Sequence, residues 1–223
     1  ETLGDHGISP LHAGIEMSEH LKAKGYHCPV AIHYDDLPEN VTVKELFGTM
    51  RKDDVIAHVF QTKAETIFDE NGKIKDCVWD AKKRGVYMDD CHGRVHWSYP
   101  NLQNAFSQSF YPDIISSDLV RVSEYTRPGF SLLYAMSVNS AAGMPTEKIL
   151  QSVTYTPAKS LGIEEKAGVI REGAPADVAI LDIRDVKDKT FTDNYGNSIS
   201  GNKLFVPLMT VKGGRTAYRQ IFF

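Results

Sequence analysis

Four short runs in the first 120 residues open apolar and turn polar at their ends: PVAIHY up to Tyr34, DVIAHVF from Asp54, GVYMDDC from Gly85 and DIISSD up to Asp118. Near-continuous apolar starts of this kind predict strands buried on both faces, as in a parallel sheet. Between and after them LHAGIEMSEHLKAKGY, TVKELFGTMRK, the segment from Ile74 to Arg84 and NLQNAFSQSFY have helical character. In the last, Leu102, Ala105, Phe106, Ser109 and Phe110 recur at the three-and-four spacing of one helix face. Gly25, Gly85 and Pro112 fall where a helix stops and the next strand begins. The predicted order is strand, helix, strand, helix.

Beyond Asp118 the pattern changes. SLLYAMSVNSAAG, TEKILQSV with Thr146 as a candidate N-cap, and TPAKSLGI read as helical. From Ala167 onward GVIREGAPADVAILDI and KLFVPLMTVKGGRTAYRQIFF read as hairpin-rich β structure with Gly and Pro at the turns. Residues 167–223 therefore form a second, smaller β part after a first part over 1–166, and the polar segment KDKTFTDNYGNSISGNK between its strands reads as an exposed loop.

The four polar exits are His33, His58, His92 and Asp118, spaced 25, 34 and 26 residues apart. A (β/α)8 barrel of roughly 250 residues spends about 31 on each unit and carries its chemistry at the C-terminal strand ends. A metal site needs neutral imidazoles and a carboxylate brought together from elements far apart in sequence. His33, His58 and Asp118 meet that need if the four strands are neighbours. His92, with Gly93 beside it, looks like a turn leaving the third strand, where it fits a substrate contact, a fourth ligand or a structural support. Asp89 and Asp90 read as a strand-end pair satisfied by backbone amides or by Arg94, and His6, His12, His20, His27 and His96, lacking a partner spacing, read as surface residues.

Composition narrows the function classes. The 223 residues allow one domain, or one and a piece of another, and 25 basic against 29 acidic side chains give a net charge of -4. With basic residues scattered singly, neither nucleic acid nor an anionic membrane surface is an expected partner. No run approaches the roughly 18 to 20 apolar residues that span a bilayer, and ETLGDHGISP has no signal-peptide pattern, so a cytoplasmic protein is expected. Cys28, Cys77 and Cys91 form no C-x-x-C pair and read as reduced, packed thiols. The glycine-rich phosphate loops and the serine nucleophile elbow are missing from the sequence.

The runs VAIHYDDLP, DDVIAHVFQTK, RGVYMDDCHGRVHWSY, YPDIISSDL, VTYTPAKSLGI and AGVIREGAPADVAILDI resemble the C-terminal half of amidohydrolase superfamily enzymes, in particular the deacetylase and dihydroorotase-like metallohydrolases. The resemblance covers nearly the whole chain. It implies an α/β fold: the C-terminal half of a (β/α)8 TIM barrel of the metallo-dependent hydrolase type over 1–166, followed by part of a small β-sandwich domain over 167–223. It implies one or two divalent ions, usually zinc, with His33 and His58 on the more buried ion and Asp118 on the other, where it also handles the proton. His92 and Gly93 match the position near the substrate.

The superfamily's first-strand H-x-H pair and carbamylated lysine have no counterpart here, and Asp90 and Cys91 stand where smaller, apolar residues are expected. An N-terminal half or a second chain is therefore expected to complete the barrel, and the assembly is expected to be an oligomer. The implied function is metal-dependent hydrolysis of an amide or acyl bond in a small molecule, of the N-acyl or O-acetyl deacetylase type. The alternatives are a cyclic amidohydrolase acting on a ring amide and a catalytically silent partner subunit. Arg94, Arg121 and Arg127 are candidates for holding an acidic substrate.

Overall fold

The computed structural model describes residues 6–63, 65–126 and 131–221. Strands and helices alternate through its first half: α1 (Ser9–Lys22), β1 (Ala31–His33), α2 (Val43–Thr49), β2 (Val55–Ala57), α3 (Asp76–Arg84), β3 (Tyr87–Asp89) and α4 (Tyr99–Ser107). Three further helices follow, α5 (Leu132–Ala141), α6 (Thr146–Val153) and α7 (Tyr155–Ser160), and then β4 (Val178–Thr192), β5 (Ser198–Lys212) and β6 (Arg215–Arg219). Hydroxyl caps start several helices: Thr42, Ser98 and Ser131 accept from the amides of Glu45, Asn101 and Tyr134. Gly85, at φ 90°, ends α3 in a conformation that a side chain would resist.

β1, β2 and β3 form a parallel sheet in that order, with His33, Ala57 and Asp89 aligned across it. The fourth run, DIISSD, forms a single parallel bridge, Asp89 with Ile114, and no named strand. Its backbone nevertheless follows β3, because the amides of Asp90, His92 and Gly93 donate to the carbonyls of Ile114, Ser116 and Ser117 at 3.0, 2.9 and 3.2 Å. β1, β2 and β3 are shorter than the apolar runs suggest. The cause lies at their C-terminal ends, where His58, Cys91 and Asp118 take φ of 64°, 41° and 45° and leave the pleat.

The expectation of strands buried on both faces holds on one face. Ile32, Ile56 and Met88 occupy the same register and are buried with Phe47, Phe60 and Phe110 against the helices. On the other face Ala31 is exposed and His33, Val55, Ala57 and Tyr87 are half-buried.

β4, β5 and β6 form a second, antiparallel sheet. It starts at Val178, so residues 167–177 supply loop and turns where hairpin-rich structure was expected. The polar segment 187–203 is not a loop. Most of it is strand, because Phe191 and Ile199 pair across β4 and β5 and bury themselves in the common core with Phe205. Among the described residues, no helix is long and apolar enough to cross a membrane.

A buried carboxylate sets the register that aims the strand ends. Asp54 is fully buried, with Oδ1 accepting from the Val30 amide at 2.8 Å and Oδ2 from the Arg51 amide and Nε at 2.8 and 3.0 Å. Leaving these donors unpaired is costly, so Asp54→Ala is expected to lower unfolding free energy by about 3 kcal/mol in urea titrations. An unchanged midpoint would show that Asp54 does not tie β1 to β2.

Candidate metal centre

The C-terminal ends of the parallel strands gather three imidazoles. His33 is the last residue of β1 and His58 directly follows β2, and their ring centroids lie 4.4 Å apart. His96, in the loop after β3, lies 4.8 Å from His33 and 4.7 Å from His58. Six non-glycine residues among those described have positive φ, and three of them, His58, Cys91 and Asp118, are the turning points around this cluster. Left-handed backbone at such residues is uncommon and concentrates at functional sites.

His58 is 2% exposed and its Nδ1 lies 2.8 Å from the Cys91 carbonyl. A carbonyl only accepts, so Nδ1 carries the proton and Nε2 keeps its lone pair for a ligand. Burial, with His33 and His96 nearby, drives the His58 pKa down to about 3, and burial with His96 lowers that of His33 as well. Both rings are neutral at physiological pH, the state that metal coordination requires.

Burial raises the pKa of the Asp118 carboxyl, against the pull of His96 and His33. Gly93 makes room for it: at φ 50°, a Cβ on Gly93 would sit 2.7 Å from Asp118 Oδ2. The Gly93 carbonyl in turn accepts from Trp97 Nε1 at 3.0 Å.

Asp35 is buried beside the rings. Lys63 Nζ donates to its Oδ2 at 3.0 Å, and His96 Nδ1 and His33 Nε2 lie 3.0 and 3.8 Å from the same oxygen. Burial alone would raise the Asp35 pKa, but Lys63 and His96 outweigh it and hold the carboxyl below its ordinary range.

The potential ligands thus fall into two adjoining triads, each with donor atoms within 4.8 Å of one another: His58, Cys91 and Asp118, and His33, Asp35 and His96. The predicted set of His33, His58 and Asp118 is brought to one place but divided between them. His92 is not in the cluster. Its side chain is 1% exposed, its ring centroid is 3.7 Å from that of Trp97, and Nδ1 stands 3.7 Å from Asp90 Oδ2, so it supports the loop from behind.

Three members escaped the sequence reading. His96 was expected on the surface and is 18% exposed in the cluster, while His6, His12, His20 and His27 are exposed as expected. Asp35 was signalled only by its place two residues after His33, and Cys91 by its departure from the superfamily pattern. Asp89 is satisfied by the Cys91 amide and the Ser116 hydroxyl, both at 2.8 Å, and Asp90 accepts from Asn139 Nδ2 at 2.7 Å. Arg94, expected to pair with them, is exposed, as is Arg121, and Arg127 lies outside the described residues.

The donor set fits a divalent ion on two counts: His33 and His58 are neutral with Nε2 of His58 free, and the buried Asp35 Oδ1 has no hydrogen-bond partner.

A family model described as the amidohydrolase family matches residues 16–217. A deacetylase of Enterococcus faecalis is 28% identical over 214 residues, covering 96% of this chain and 56% of the relative. A deacetylase of Brucella anthropi is 28% identical over 222 residues, covering 98% and 52%. A dihydroorotase of Lactobacillus delbrueckii subsp. bulgaricus is 33% identical over 96 residues, 41% of this chain and 22% of its own length. Among solved structures, an adenine deaminase superposes with a TM-score of 0.86 at 26% identity, covering 97% of this chain and 57% of its own. A dihydroorotase structure shares the fold, with a TM-score of 0.80 at 24% identity over 97% of this chain and 54% of its own. The chain spans about half the length of the deacetylase relatives it matches.

Two outcomes follow from this geometry. Gly93→Ala is expected to lower stability by about 1–3 kcal/mol through backbone strain and displacement of Asp118, as read by urea unfolding. Native stability would exclude the close approach. The second concerns pH in the metal-free chain. His58 takes up a proton near pH 6.5 when unfolded but only near 3 when folded, so the unfolded state binds more protons between those values. Stability is then expected to fall as pH drops below 6.5 and to go on falling towards 3. His58→Gln should flatten that slope in urea midpoints measured at successive pH values, and an unaltered slope would contradict the assignment.

Proposed function

The chain belongs to the amidohydrolase family, and from that premise we propose that it carries the metal-binding half of a hydrolase cleaving an amide or acyl bond of a small molecule, of the N-acyl or O-acetyl deacetylase type. The observation that carries this reading is the convergence of neutral His33 and His58, at the ends of β1 and β2, with Asp118. In this reading His33, His58 and Asp118 hold one or two divalent ions. Zinc is the first choice for imidazole and carboxylate donors. When bound, such an ion supplies Lewis acidity towards a scissile carbonyl and towards water.

The protein groups do the rest. Asp118, with its raised pKa, accepts a proton from the attacking water and returns it to the leaving amine or alcohol. Gly93 leaves its carboxylate free to approach. His58 is fixed in one tautomer by the Cys91 carbonyl, and His92 with Trp97 backs the loop that carries His96. The deacetylase relatives support the acyl-bond reading, and the partial likeness to a dihydroorotase keeps a ring amide as the second substrate class.

We propose further that residues 1–166 are the C-terminal half of a (β/α)8 barrel and that 167–223 form part of a small β-sandwich. A segment from an N-terminal half or a second chain would complete the barrel, and the three free cysteines suit the cytoplasm. The open face of β1 to β3 supports this reading, since an unpaired β1 edge and a half-exposed inner face are poorly stable in water.

Elemental analysis tests the metal and the Asp118→Asn variant tests the proton role. Bound zinc is expected in the purified protein, and no bound metal after zinc reconstitution would favour the silent-subunit alternative. In the assembled hydrolase, Asp118→Asn is expected to keep metal and lose about a hundred- to ten-thousand-fold in turnover of an N-acetylated substrate. Undiminished turnover would remove Asp118 from the mechanism.

A further inference from the structure

A polar cleft of about 170 Å³ lies between the last turn of α3, the segment 109–113 that follows α4, and α6 with the start of α7. Because α3 leads into the N-terminal end of β3, the cleft sits at the opposite end of the strands from the histidines. Two ammonium groups face one carboxylate there. Lys82 Nζ lies 2.6 Å from Asp113 Oδ2 and donates to the Tyr111 carbonyl at 3.0 Å, and its side chain is 22% exposed. Burial lowers the Lys82 pKa in spite of Asp113, and Lys148 pushes it the same way, so the one carboxylate does not offset the cost of holding this charge. That carboxylate is already committed, since Asp113 Oδ2 also accepts from the Met88 amide at 3.0 Å. Lys148 Nζ stands 4.5 Å from the centre of the Tyr111 ring and forms no ion pair among the described residues. Gln151 follows Lys148 on the same face of α6, and the side chains of Ser109, Gln151 and Thr156 make no hydrogen bond to the protein among the described residues.

The geometry points to a binding site for a small oxyanion of the phosphate class, with Lys82 and Lys148 sharing its charge and Ser109, Gln151 and Thr156 donating to its oxygens. Hydrogen bonds from ammonium groups to such oxygens are the strong kind, because one or both partners are ionised. The anion supplies the second negative charge that the two lysines lack. It also braces α3, the segment 109–113 and α6 against one another, so its occupancy stabilises the fold from a place remote from the strand-end cluster. The site goes beyond the hydrolase reading, and neither depends on the other.

Calorimetric titration of the full chain with sodium phosphate, against sodium chloride at equal ionic strength, tests the assignment. Lys148→Gln, at an exposed position, is expected to weaken phosphate binding about ten- to a hundredfold, the worth of one charge-assisted hydrogen bond, and Lys148→Arg to restore most of it. In the unaltered chain, phosphate is expected to protect Lys82 from acetylation by acetic anhydride, as read by peptide mass spectrometry, which needs no variant to fold. A second titration with glycerol phosphate separates the two sources of the ligand. Binding as tight as that of the free ion assigns the cleft to a phosphate monoester, and binding of the free ion alone assigns it to inorganic phosphate. No binding beyond that of chloride would overturn the site. So would phosphate that binds Lys148→Gln as tightly as the unaltered chain, or that leaves Lys82 fully reactive at saturation. Phosphate held in that way sits elsewhere, the strand-end cluster included, and the hydrolase reading stands untouched.

Discussion

Left-handed backbone at the ends of parallel strands is the constraint on which the site depends. A residue with positive φ cannot continue a pleated ladder, so the chain at His58, Cys91 and Asp118 turns out of the sheet at neighbouring points. Each turn costs on the order of 1–3 kcal/mol, and nearby contacts offset it. The Cys91 carbonyl accepts from His58, the Cys91 amide donates to Asp89, and Gly93 leaves the space beside Asp118 that a methyl group would fill. Relaxing any of these turns would re-extend a strand and withdraw a ligand candidate.

Beneath the turns Asp89 is satisfied locally, by the Cys91 amide and the Ser116 hydroxyl. Burial pushes the Asp89 pKa up to about 7, against hydrogen bonds from the Ser116 hydroxyl and the Cys91 amide. The Ser116 bond ties the end of β3 to the run from Ile114 to Asp118, doing laterally what a longer ladder would have done, while the Cys91 bond closes the turn that follows β3. On the far side of the sheet, Ile32, Ile56 and Met88 bury a single row against the helices. The apolar row fixes where the strands lie, and the carboxylates fix where they stop.

The strand ends were legible in the sequence because burial and exit leave a local signature, an apolar run closed by His or Asp. His33, His58 and Asp118 follow from that signature alone. His96 and Asp35 do not, because a loop's direction depends on contacts that no local pattern records. The position of His96 is set partly by Tyr195, whose hydroxyl donates to the Val95 carbonyl at 2.6 Å. The same limit explains the polar stretch 187–203. Its two apolar anchors, Phe191 and Ile199, acquire meaning only when paired across a hairpin and pressed into a core shared with Tyr134.

The tip of that hairpin reaches back to the loop that carries His96. Asp193 Oδ2 accepts from the Tyr99 amide at 3.1 Å, and with the Tyr195 hydroxyl it spans 94 and 100 positions of chain. On a ribosome adding about 5–20 residues per second, those anchors would emerge roughly 5–20 s after the loop they hold. The nascent chain therefore carries its histidines for many seconds before the brace that orients one of them exists. The strand-end cluster is thus completed from its C-terminal side, and late in synthesis.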